Sequence, residues 1–173
     1  MRLLIILLTS LSSICNGQEY NTPLGKAKIN KDINIRGEFG WNKSWFASAG
    51  ISYLYNNVNS HSPMSVVTYA AFEVDYAGYH SPAVFYAYKT GVEFGGNGGG
   101  MGVELRMYDD FSGRHHLVFT PKIGIVLLGY ANLLYGYNVF KNKNNIFGIG
   151  HSQISLSVNI GRKLLHNSIA PSH

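Results

Sequence analysis

Between residues 102 and 108 apolar and polar positions alternate without a break. Val103, Leu105 and Met107 share one parity with Met101, while Gly102, Glu104, Arg106 and Tyr108 share the other. Successive side chains of a strand point to opposite faces, so a strand here has one apolar face and one face carrying an acid and a base. The same period recurs in seven other segments, at 33–41, 45–55, 65–79, 84–94, 117–128, 132–140 and 149–160. Ile33, Ile35, Phe39 and Trp41 oppose Asn34, Arg36 and Glu38. Val66, Ala70, Phe72, Val74 and Tyr76 oppose Tyr69, Ala71, Glu73 and Asp75, and Tyr86, Tyr88, Val92 and Phe94 oppose Lys89, Gly91 and Glu93. Ile123, Ile125 and Leu127 oppose Lys122 and Gly124. In the last segment Ile154, Leu156, Val158 and Ile160 oppose His151, Gln153, Ser155, Ser157 and Asn159, which places His151 on the polar face beside Gln153.

The connections are short and rich in turn formers. They fall at 42–44, 56–63, 80–82, 95–100, 109–116, 129–131 and 141–145. Pro121 cannot donate to a ladder, so it predicts a bulge or a strand end at that point. Eight strands with short links predict an all-β, antiparallel, up-and-down barrel.

Composition decides which face is outside. Charged residues make up 13% of the chain, about half of the ~25% usual in water-soluble domains. The charges carried by strands share a face within each strand: Arg36 with Glu38, Glu73 with Asp75, Lys89 with Glu93, Glu104 with Arg106, and Lys122. Four cations against five carboxylates is close to neutral, which suits an enclosed space where each charge must find a partner. The apolar face carries aromatics near strand ends, among them Trp41, Trp45, Tyr53, Tyr55, Tyr76, Tyr86, Phe94, Tyr135 and Tyr137. Aromatic girdles of that kind mark the two interfaces of a membrane barrel. Most segments also reach the ~9–11 residues that a tilted strand needs to cross a bilayer. The expectation is a transmembrane barrel with a plugged polar lumen, in which Gly50, Ala71, Gly91, Gly102, Gly124 and Gly136 make room for the long cations.

The ends extend this picture. Arg2, the apolar run of Leu3 to Leu8, and Cys15, Asn16 and Gly17 before Gln18 read as a secretory signal over 1–17. Cleavage there removes Cys15, the one cysteine. An extended lead-in is expected over 18–32, the barrel over 33–161 and a loose tail over 162–173. The basic pI of 9.3 does not point to nucleic acid, since no basic stripe interleaves with stacking aromatics.

With these features the chain resembles the small eight-stranded outer-membrane barrels of the OmpA, OmpX and OmpW type. The resemblance rests on the signal, strand count, alternation and ion-paired core over about 33–160. It implies an outer-membrane, porin-like protein of a Gram-negative cell envelope: a monomer in contact with outer-membrane lipid, without cofactor or catalytic residue, serving as an envelope component or surface contact. Two alternatives stand beside it, a secreted lipocalin-like barrel holding an apolar ligand and a lipid A-modifying hydrolase using His151. For the second, His151 and Ser152 are adjacent and point to opposite faces of a regular strand. His151 and Ser155 lie roughly 13 Å apart at strand rise. His115 and His116, with His80, are better read as a solvated rim than as metal ligands, and 95–100 lacks the Lys of a phosphate loop.

Overall fold

A computed structural model of the protein describes residues 28–58, 64–77, 83–109, 115–140 and 149–161. The strands are β1 (Lys28–Trp41), β2 (Trp45–Val58), β3 (Met64–Ala77), β4 (Ala83–Gly96), β5 (Gly99–Asp109), β6 (His115–Leu127), β7 (Ala131–Tyr137), β8 (Val139–Phe140) and β9 (Ser152–Gly161). β7 and β8 are two parts of one stave, interrupted at Asn138, and both pair with β6. Each stave is antiparallel to its neighbours in sequence, and β9 pairs with β1, so the sheet closes as an eight-stranded barrel. No edge is left over at the seam.

The register gives the geometry. Crossing the partners Trp41, Ile154, Tyr135, Ile123, Met101, Phe94, Val66, Tyr55 and Lys31 returns to β1 ten residues from the start. A stagger of ten over eight strands implies a strand tilt of roughly 40°. The longer strands then extend roughly 35 Å along the axis. An even stagger also keeps every residue of this path on the same face.

Several strands depart from the expected limits. β1 begins at Lys28, five residues before the expected start at 33, because Lys28 to Asp32 find partners in the lengthened β2. The expected turn over 95–100 shrinks to Asn97 and Gly98, both with positive φ (52° and 85°), the geometry of a two-residue hairpin turn. Pro121 sits inside β6, paired with Val103 in unbroken register with β5. The interruption instead lies across from it, where the β6 ladder skips from Lys122–Gly136 to Phe119–Val139. The expected signal segment 1–17, most of the lead-in, the tail 162–173 and His80 lie outside the described residues.

The barrel has two ends. At one lie the start of β1, the end of β9 and the β4–β5 and β6–β7 turns. At the other lie the β1–β2 turn and the run into β9. Inside, an apolar layer stands near each end. Leu54, Val67 and Tyr69 pack with Tyr130 near the first. The β6–β7 turn is tucked in against them: Gly129 has φ 75°, and a Cβ there would come within 2.5 Å of Leu54. Asn159 Nδ2 donates to the Gly129 carbonyl at 2.5 Å, and Asn56 Nδ2 donates to that of Leu128 at 3.2 Å. Near the second end Ala87, Tyr108, Val118 and Ile149 pack with Phe85 and Phe140.

Candidate functional site

The charges that the alternation gathers on one face are buried between these two layers. Arg36, Glu38, Glu73, Asp75, Lys89, Glu93, Glu104, Arg106 and Lys122 are all buried. They come from five different strands, and closure of the barrel brings them together. The outward face is the converse. Among the described residues the outward-pointing Lys, Arg, Asp or Glu side chains on strands are Lys31, near the first end, and Asp109, at the far end of β5.

The interior pairs are specific. Arg36 grips Glu93 with both ends of its guanidinium, Nη2 to Oε1 at 2.6 Å and Nη1 to Oε2 at 3.1 Å, and its plane lies over the Tyr69 ring at 3.9 Å. Such a planar fork is what arginine offers and lysine does not. Asn132 Nδ2 donates to the same carboxylate at 2.6 Å. Glu38 receives Lys89 at 2.9 Å, with Arg36 and Lys122 each at 3.3 Å. Lys89 also reaches Glu73 at 2.8 Å, and Lys122 reaches Glu104 at 2.7 Å. Tyr69 donates to Glu104 at 2.6 Å and Tyr108 to Glu73 at 3.1 Å.

Arg106 is the hub on the other side. Its Nε lies 3.0 Å from Glu104 and Nη1 lies 3.3 Å from Glu73. Its Nη2 donates to Asn138 at 2.6 Å, to Thr120 at 3.0 Å and to Gln153. Asp75, nearer the second end, accepts from Asn42 Nδ2 at 3.5 Å. Each of the four glutamates thus has at least two donors. The arrangement consumes its own charge: its chemistry is mutual neutralisation of groups whose burial alone is costly.

Small residues make this possible. A Cβ at Gly91 would lie 2.6 Å from the Tyr69 hydroxyl, and one at Gly102 would lie 3.0 Å from the Glu93 side chain. Not all of the interior is polar, however. Phe46, Leu54, Val118, Val126 and Leu134 also point inward. Their parity with Ser48, Ser52, Thr120 and Lys122 was the signal for this, outweighed by their hydrophobicity. Phe46 lies between the network and the second end, 5.3 Å below Lys89 Nζ.

His151 is a correction. It faces outward, not into the interior beside Gln153. The chain bends there just before β9, so His151 and Ser152 are both exposed and alternation resumes only at the buried Gln153. The His151 ring stacks on Tyr137 at 5.7 Å, meets Phe140 edge-on at 5.0 Å, and sets Nδ1 3.3 Å from the Asn138 carbonyl. The Ser152 hydroxyl bonds that of Tyr135 at 2.9 Å. On β6, His115 is exposed and His116 buried, so they cannot turn to one ion, and His115 lies 3.3 Å from Asp109. No family model matches this chain, and no curated protein or solved structure shows significant similarity to it.

Proposed function

We propose that the protein is an outer-membrane β-barrel of a Gram-negative envelope, exported by a cleaved signal over 1–17, that spans the bilayer as a monomer with its interior sealed. It serves as a structural envelope component or contact surface, not as a conduit or a nucleic-acid binder. The observation that carries this reading is the inversion of the barrel. Glu104 and Arg106 are buried, while Met101, Leu105 and Met107 between and beside them are exposed. A water-soluble barrel needs the reverse, whereas lipid rewards an apolar exterior and a closed backbone. The sealed interior is supported by the paired charges at mid-height and by the apolar layers near both ends. An eight-stranded barrel is just wide enough for side chains to fill.

The test uses the two tryptophans, Trp41 and Trp45, which flank the β1–β2 turn and point outward. In phosphatidylcholine vesicles, lipids brominated near the headgroup should quench their emission more than lipids brominated deep in the chains. A folded mature protein that stays soluble, with no quenching by either, would sink the proposal. A second reading, a lipid-modifying hydrolase, gains from the outward position of His151 but finds Ser152 bonded to Tyr135. His151→Ala with unchanged lipid A acylation removes it.

A further inference from the structure

We infer that the rim around His151 binds the phosphate of an anionic lipid headgroup. The inference rests on the membrane reading above and names the lipid that this part of the exterior selects. It starts from a local anomaly. A regular β9 would turn His151 inward; the bend at 151 puts it out, beside Ser152, in a belt made mostly of apolar side chains.

Three kinds of polar group lie side by side there. The His151 ring sets Nδ1 3.3 Å from the Asn138 carbonyl, and a charged imidazole would offer Nε2–H as a second donor. The hydroxyls of Tyr135 and Ser152 share one hydrogen bond, which leaves one O–H to donate elsewhere. The third group is Lys43. It is exposed at the tip of the β1–β2 turn, and a Cβ on Gly150, the residue before His151, would lie 3.1 Å from the Lys43 Cβ. The turn that presents Lys43 is fixed from below. Asn42 N donates to the Ser44 carbonyl at 2.9 Å, and Gly150 N donates to the Asn42 carbonyl at 2.8 Å. Lys43 is held at φ 80°, a conformation that a non-glycine residue rarely adopts.

Charge points to the guest. The Lys43 ammonium and a hydroxyl are donors for an oxyanion, and phosphate oxygens accept them strongly. Asp109, the described acid near this end that is not fully buried, lies on β5 beside His115, away from β9 and the β1–β2 turn. Height fits as well. The outward Trp41 is paired with both Trp45 and Ile154, so the aromatic rim lies beside the donors. Tryptophan and tyrosine settle at headgroup level, which brings a lipid phosphate to the donors and its chains to the apolar face below.

The two tryptophans report on the site. The full-length mature protein is placed in micelles of an uncharged detergent with chain-brominated phosphatidic acid or phosphatidylcholine at equal mole fraction. Phosphatidic acid should quench at least twofold more, and 10 mM inorganic phosphate should not abolish the excess. Lys43→Ala with His151→Ala should bring the two lipids level, while the variant keeps the heat-dependent gel shift of a folded barrel. Equal quenching by both lipids in the unmodified protein, or an excess that survives the double change, overturns the inference and leaves the membrane reading intact. An excess erased by inorganic phosphate assigns the site to free phosphate and also overturns it. Absence of quenching by either lipid overturns both.

Discussion

Leu105 and Arg106 are neighbours in sequence and live in opposite worlds. Leu105 is 39% exposed on the outer wall, among Val103, Met107 and Phe119; Arg106 is fully buried among Glu73, Glu104, Asn138 and Gln153. The outer wall asks only for apolarity. Apart from a few ring stacks such as Phe39 on Trp45 and the polar contacts near His151, its residues meet by apolar contact alone, and Ile, Val, Met and aromatic side chains alternate along it. The interior asks for particular partners at particular lengths. The lesson is that two kinds of specificity run along one strand at a period of two, so that substitutions one residue apart should fail for different reasons.

The largest effect is expected inside. Arg106→Ala leaves Glu73 and Glu104 short of a cation and strips a donor from Asn138 and Gln153. Breaking a buried pair in this way should cost about 3–5 kcal/mol, read as a lower urea midpoint in detergent or vesicles. An unchanged midpoint would show that the network contributes little. Next comes the outer wall, where Leu105→Lys should cost about 2–4 kcal/mol if the residue stands at mid-bilayer. If that wall faces water, the same change leaves the midpoint where it was. Smaller still is the closure near the first end. Gly129→Ala, at φ 75° and against Leu54, should cost about 1–2 kcal/mol. Gly37→Ala, which meets nothing within 4 Å, should be close to neutral. Equal effects at the two glycines would mean that the β6–β7 turn is not seated as described.

Much of this was legible in the sequence, for a physical reason. A period of two is rigid, so one Glu–x–Arg in an apolar frame sets the face of its whole strand, and the interior positions of Arg36, Glu73, Lys89, Glu104 and Arg106 follow. Partner choice was not legible. The Arg36–Glu93 fork joins β1 to β4 across the barrel, and nothing local to either residue encodes it. The period also fails wherever the backbone leaves the ladder. His151 precedes β9 at a bend, so counting back from Gln153 assigns it to the wrong face. Pro121 misled: β6 runs through it unbroken, and the interruption lies in the neighbouring stave at Asn138, whose side chain takes up Thr120, Arg106 and the Gly150 carbonyl. The apolar layers were missed because Leu54 and Val118 sit among polar neighbours of the same parity, where a purely polar interior was expected.

The central claim is that the barrel is inverted, apolar outside and charged within. Spin labels on single cysteines at Met101, Gly102, Val103, Leu105 and Met107, in a background without Cys15, test it most directly. Accessibility to molecular oxygen and to a water-soluble nickel chelate is compared in vesicles. The account predicts high oxygen and low nickel accessibility at 101, 103, 105 and 107, and low accessibility to both at 102. Nickel accessibility at the odd positions equal to that of a label in the 42–44 turn would contradict it.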